Sequence, residues 1–119
     1  MTDMQPDALA GQNLQDRARA HLAQSAVAFA FDVSPQELVA PTRRSPRAAF
    51  ARQVAMYLAH ITFELPLNRV AMAFGRDRST AAYACHKIED ERDDRDFDAR
   101  LDALEECLRR APEPQAWLR

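Results

Sequence analysis

The chain has 119 residues, 47% of them hydrophobic and 29% charged, with a net charge of −2, which suits one soluble domain with a single core and is too short for two. No run approaches the roughly 18 uncharged apolar residues needed to span a bilayer, and no basic segment precedes an apolar run at the N-terminus, so a cytoplasmic location is expected. Cys85 and Cys107 form no Cys-x-x-Cys pair and have no histidines at ligand spacing, so buried thiols are expected rather than a disulfide or a zinc site.

Residues 1–11 show no apolar period and include Pro6 and Gly11, which reads as a flexible tail. The domain proper is expected over 12–110, with a second tail at 111–119 in which Trp117 has no assigned role. A first helix is expected from about Asn13 to Phe31, turning Leu14, Ala18, Leu22, Ala26 and Phe29 toward the core. Val33-Ser34-Pro35-Gln36-Glu37-Leu38 is a compact start signal: Ser34 as N-cap, Pro35 at the first helical position and Glu37 three residues after the cap. The short helix that follows should end before Pro41. Thr42-Arg43-Arg44-Ser45-Pro46-Arg47 then places three arginines in six residues, with a proline that prevents regular helix. Taken alone, this stiffened basic loop reads as an ordinary solvated loop.

A long helix is expected next, from about Arg47 to Phe63, burying Ala51, Val54, Ala55, Leu58 and Thr62. Arg52 and Gln53 fall off that stripe, in position to reach phosphates, and His60 falls off it as a lone exposed histidine. In Leu67 to Gly75, the residues Leu67, Val70, Ala71 and Phe74 lie at i, i+3, i+4 and i+7, with Phe74 expected to be fully buried and Gly75 ending the helix in a left-handed conformation. From Ala81, the residues Ala81, Ala84, Cys85 and Ile88 repeat the same spacing. The other side of that helix carries Arg78, Ser79, Tyr83, His86 and Lys87, and Asp77 or Ser79 can cap its start. Helix, short glycine-containing turn, helix is the pattern of a helix-turn-helix, and an ordinary helical hairpin fits it too. A basic, hydroxyl-rich end projecting after a tight turn is what a DNA-reading helix requires.

After a charge-dense stretch from Asp90 to Asp96, the residues Phe97, Leu101, Leu104 and Leu108 mark a last amphipathic helix that can pack on the bundle or serve a dimer. Charge is unevenly distributed. From Thr42 to Glu89 eight cations face three acids, a net of +5, whereas from Asp90 to Arg110 nine acids face five arginines, a net of −4. A local basic face, not the total, attracts a phosphate backbone. The sequence holds no G-x-x-x-x-G-K-[ST] phosphate loop, and no Ser/His/Asp set or carboxylate pair has a convincing frame, so neither an enzyme nor a bound cofactor or metal is expected.

Ala49-Phe50-Ala51-Arg52-Gln53-Val54-Ala55-Met56-Tyr57-Leu58, with Ala73-Phe74-Gly75-Arg76-Asp77-Arg78-Ser79-Thr80 and Ala84-Cys85-His86-Lys87-Ile88-Glu89, resembles the C-terminal DNA-binding domain of the bacterial replication initiator DnaA. The resemblance runs from about Leu22 to about Leu108. It implies an all-α, compact helical bundle with a helix-turn-helix, binding double-stranded DNA and regulating transcription or chromosome replication without an ATPase of its own. By the same resemblance, Asp77, Arg78, Ser79 and Thr80 read bases in the major groove, and Arg44 of the basic loop enters the minor groove. The expected backbone contacts are Arg43, Arg47, Arg52, Gln53, Arg76, Tyr83, His86 and Lys87, of which His86 and Lys87 stand where the family has phosphate-facing positions. The sequence departs from the family's G-G-R-D-H-T-T signature: one glycine is missing, Arg78 stands for the histidine and Ser79 for the first threonine. The alternative is a protein-interaction module of the same fold, acting on a protein partner or as a homodimer through the acidic C-terminal helix.

Overall fold

Short polar side chains set three of the helix starts among the described residues. Ser34 Oγ accepts the Glu37 N–H at 3.2 Å where Pro35 opens one helix, and Ser45 Oγ accepts the Ala48 N–H at 3.1 Å where Pro46 opens the next. Asp94 does the same for the last helix, accepting from the Phe97 N–H at 3.0 Å. Each cap satisfies a backbone donor that a helix cannot satisfy internally. The computed structural model describes residues 6–39 and 45–113, and six helices lie among them: α1 (Pro6–Phe31), α2 (Pro35–Val39), α3 (Pro46–Thr62), α4 (Leu67–Phe74), α5 (Arg78–Glu91) and α6 (Arg95–Arg110). The all-α helical bundle expected from the sequence is therefore what forms. Arg43, Arg44 and Trp117 lie outside the described residues.

Helix α3 packs against all five others. It can do so because it is apolar nearly all round: Ala48, Ala51, Val54, Ala55, Met56, Tyr57, Leu58 and Ala59 are all buried, the pattern of a helix enclosed on every side. Two clusters form around it. One joins Ala23, Val27 and Leu38 to Ile88, Leu101 and Leu108; the other joins Met56, Leu65 and Val70 to Ala81 and Ala84, with Phe63 and Phe74 packed against both. Phe74 is thus half-buried at the seam between the clusters, and not enclosed as the stripe of α4 implied. Thr62 is likewise only half-buried, although its Oγ1 is shielded without a partner. Among the described residues no helix is long and apolar enough to cross a membrane.

Helix α1 departs most from expectation. It starts at Pro6, well before Asn13, and runs for 26 residues through part of the segment read as a tail. Its inward face is Asp16, Ala20, Ala23, Val27 and Ala28, while Leu14 is 58% and Phe29 90% exposed. Ala18, Leu22 and Ala26 are half-buried beside that face. Alanines occur on every side of α1, so its larger apolar residues suggested one stripe while the small ones, which allow close approach to α3, form another. Helix α6 behaves as the packing reading requires. Leu101 and Leu108 are buried, Phe97 and Leu104 pack against the same cluster, and so the stripe faces its own bundle instead of a dimer partner. Cys107 is exposed on α6, against the expectation of a buried thiol.

Helix α4 ends on Gly75, at φ 66° and ψ 38°, with the Gly75 N–H donating to Met72 O at 3.2 Å and the Arg76 N–H to Ala71 O at 2.9 Å. This left-handed closure turns the chain into α5 within three residues. An added Cβ at Gly75 would meet no neighbour within 4 Å, so backbone strain alone sets the effect of a substitution. Gly75→Ala is expected to lower stability by about 1–2 kcal/mol in a denaturant titration. A loss near zero would show that the turn tolerates a side chain in this conformation.

Candidate nucleic-acid interface

The buried residues of α5 fix its rotation. Ala81, Ala84 and Ile88 are fully enclosed, and by helical periodicity the opposite side of the helix must face outward. Arg78, Ser79 and Thr80 are exposed in the first turn, Tyr83 is 61% exposed, His86 is exposed, and Lys87 is half-exposed along the same side. Asp77 occupies the N-cap position with extended backbone, φ −73° and ψ 154°, yet its carboxylate accepts no helix N–H. A donor-rich helix end with a bare acceptor at its tip therefore projects from the turn at Gly75. Cys85 is half-buried below this face, and burial pushes its thiol up to about 11, so it stays protonated and unreactive near neutral pH.

At its other end α5 is tied to α3 and α6 by a polar network. Tyr57 donates to Glu89 and accepts from Arg92 Nη1 at 3.2 Å. Arg92 also donates to Asp98, to Asp102 at 2.6 Å and to Glu105 at 2.6 Å. Burial pushes the Tyr57 phenol up to about 12, helped by its bond to Glu89. For Arg92 burial acts in the opposite direction, but hydrogen bonds with Glu105, Tyr57 and Asp98 outweigh it and hold the guanidinium above the ordinary arginine range.

The candidate cations divide into two groups. Arg52 is buried, donating from Nε to Leu38 O at 2.7 Å and from Nη2 to Glu37 O at 3.3 Å. The expectation that it contacts phosphate is therefore corrected: a five-residue α2 leaves its last carbonyls without helical partners, and Arg52 supplies donors to them. Gln53 beside it is half-buried. Arg69 is paired with the buried Asp16 of α1 through two 2.8 Å bonds and is likewise engaged inside the fold. Exposed positive charge comes instead from Arg78 and Lys87 on α5 and from Arg47, whose Nη2 donates to Phe31 O at 2.9 Å at the end of α1. Arg76 is half-buried in the turn between α4 and α5.

Sequence reasoning missed two polar anchors. One is Asp16, hidden because its partner lies far away in the chain. The other is His60, read as a lone exposed histidine, which is half-buried and donates from Nδ1 to Leu65 O at 2.7 Å, closing the turn between α3 and α4.

A family model described as the bacterial dnaA protein helix-turn-helix matches residues 21–88, more than half of the chain. The chain belongs to this family. The matched span runs from the second half of α1 to Ile88 of α5, so it holds all of α4 and all of α5 but its last three residues. Among curated relatives, the chromosomal replication initiator protein DnaA 2 of Chlamydia muridarum (strain MoPn / Nigg) is 44% identical over 63 residues, which are 53% of this chain and 14% of that protein. Of solved structures, a DNA replication initiation factor aligns at 26% identity with a TM-score of 0.75, over 87% of this chain and 32% of its own. A replication initiator DnaA bound to AMPPCP and single-stranded DNA aligns at 25% identity with a TM-score of 0.71, over 87% of this chain and 31% of its own. The chain thus spans no more than about a third of the length of these relatives.

Proposed function

We propose that this chain binds double-stranded DNA by laying the N-terminal end of α5 in the major groove, and that it acts in the control of replication or transcription. The observation that carries the reading is the outward face of α5: Arg78, Ser79, Thr80, Tyr83, His86 and Lys87 form one donor-rich side of a helix whose opposite side is locked in the core. Membership of the DnaA helix-turn-helix family supports it. In this reading Asp77, Arg78, Ser79 and Thr80 meet base edges, and Arg47, Arg76, Tyr83, His86 and Lys87 meet the backbone. Arg43 meets the backbone as well, and Arg44 approaches the adjacent minor groove, whose negative potential attracts guanidinium groups. The sequence has no phosphate loop, so nucleotide hydrolysis has no part in the reading.

A salt titration tests it. Retention on duplexes of unrelated sequence should be clear at low salt and fall linearly on a log–log scale as salt rises, because each neutralised phosphate releases counterions. Lys87→Ala should weaken binding to all duplexes alike and reduce the slope by roughly one. An unchanged slope would mean that Lys87 meets no phosphate and that α5 docks in another orientation.

A further inference from the structure

We infer that the outer face of α1 pairs with the same face of a second copy of this chain, the two helices running antiparallel across a two-fold axis between His21 and Leu22. The inference concerns a surface on α1, away from the helix-turn-helix, and does not rest on the DNA-binding reading. Helix α1 holds two large apolar side chains in solvent, Leu14 at 58% and Phe29 at 90% exposure. They are not scattered. At 3.6 residues per turn Leu14, Ala18, His21, Ser25 and Phe29 fall on one stripe, on the side of α1 opposite the buried Asp16, Ala20, Ala23 and Val27. Leu14, His21, Ser25 and Phe29 are exposed, and Ala18 is half-buried. The stripe contains no aspartate, glutamate, lysine or arginine, although 29% of the chain is charged. A helix face built for water ordinarily carries such charges.

The spacing of the stripe points to its occupant. It reads the same in both directions: from the midpoint between His21 and Leu22, Leu14 is as far as Phe29, and Ala18 is as far as Ser25. A two-fold interface requires this symmetry, because every contact from one position to another is repeated in reverse. In an antiparallel pair centred there, Phe29 of each copy covers Leu14 of the other, at two ends about 22 Å apart. Between those ends the small Ala18 and Ser25 let the backbones approach closely. Charge selects this orientation over the parallel one. Arg17 is exposed beside the stripe, and a parallel pair in register sets it against its own counterpart. The antiparallel pair separates the two guanidinium stems by about 13 Å along the axis and opposes the helix dipoles favourably. A lipid surface fits the face less well, since helices lying on membranes are rich in lysine and arginine. Helix α1 has no lysine, and besides Arg17 its one arginine is Arg19, which Glu113 holds at 2.8 Å.

Sedimentation of the whole chain without DNA, from low to hundreds of micromolar, tests the pairing. The parent should pass from monomer to dimer across that range. Leu14→Lys and Phe29→Glu should each weaken the dimer by roughly tenfold or more, because each places an unpaired charge at both ends of the seam. Thermal melting confirms that both variants fold, as expected for exposed positions. An equal mixture of the two variants should dimerise again. In the mixed pair the lysine introduced at position 14 meets the glutamate introduced at position 29, while the other end keeps Phe29 against Leu14. A parent that stays monomeric throughout, or dimers that survive both single substitutions, would overturn the inference. Failure of the mixture to recover would overturn the antiparallel register, and a monomeric parent that sediments with anionic vesicles would assign the face to a membrane instead.

Discussion

Replacing Arg92 by methionine is expected to destabilise the domain by roughly 3–5 kcal/mol, a large share of the 5–15 kcal/mol typical of single domains. The side chain is 14% exposed and joins the end of α5 to α6 and, through Tyr57, to α3. Its bonds to Asp98 and Asp102 contribute little, since those carboxylates are 42% and 67% exposed and water replaces the guanidinium readily. Glu105 is different. Its side chain is 11% exposed, and without Arg92 it keeps, among the described residues, only Arg109, at 3.1 Å, as a cationic partner. The loss should therefore fall toward the lower end of the range, and a melting experiment should show a drop on the order of 10–20 °C. Adding Glu105→Leu to Arg92→Met should recover most of it, because a buried ion pair exchanged for apolar side chains is often neutral. If the double variant melts no higher than the single one, the stranded carboxylate is not the source of the loss.

That network bears on what was legible in the sequence. Features governed by a few consecutive residues were readable: the Ser34-Pro35 start, the Gly75 stop and the stripe Ala81, Ala84 and Ile88 that orients α5 all follow from chemistry within one or two turns. Helix α3 did not depend on its phase, since almost any rotation of so apolar a helix leaves it buried. Helix α1 could not be read that way. Its inward face includes a carboxylate, Asp16, which is tolerable in the core only because Arg69 reaches it from α4, 53 positions along the chain. Periodicity counts apolar residues and so passes over such a position.

The candidate interface divides along the same line. The outward residues of α5 could be named from the sequence because burial of the opposite face forces them out. Which arginines remain available to DNA could not, because an arginine off the apolar stripe can lie in solvent or reach beneath a neighbouring element. Arg52 took the second course, since α2 is too short to satisfy its own carbonyls. The net of +5 over residues 42–89 therefore overstates the charge presented to a phosphate backbone, as Arg52 and Arg69 are both held within the fold.

The Asp16–Arg69 pair should respond asymmetrically to removal of its two members, with Arg69→Met costing more than Asp16→Ala. The geometry is a fork, Nε to Oδ2 and Nη2 to Oδ1, both at 2.8 Å, and the bond to Asp16 raises the Arg69 pKa. Burial is unequal: the Asp16 side chain is 5% exposed and that of Arg69 is 29%. Removing Arg69 leaves a carboxylate with no partner where water scarcely reaches, which costs roughly 3–5 kcal/mol. Removing Asp16 leaves a guanidinium on a long stem that can swing into solvent, so a loss of about 1–3 kcal/mol is expected. Because α4 is the first helix of the helix-turn-helix, the measurement pairs denaturant unfolding with DNA retention under conditions where each variant is fully folded. Arg69→Met should then leave the salt slope of binding where it was, since a guanidinium engaged by Asp16 neutralises no phosphate. Equal destabilisation by the two substitutions would show that the difference in burial does not govern the pair, and a slope lowered by one would return Arg69 to the DNA-facing set.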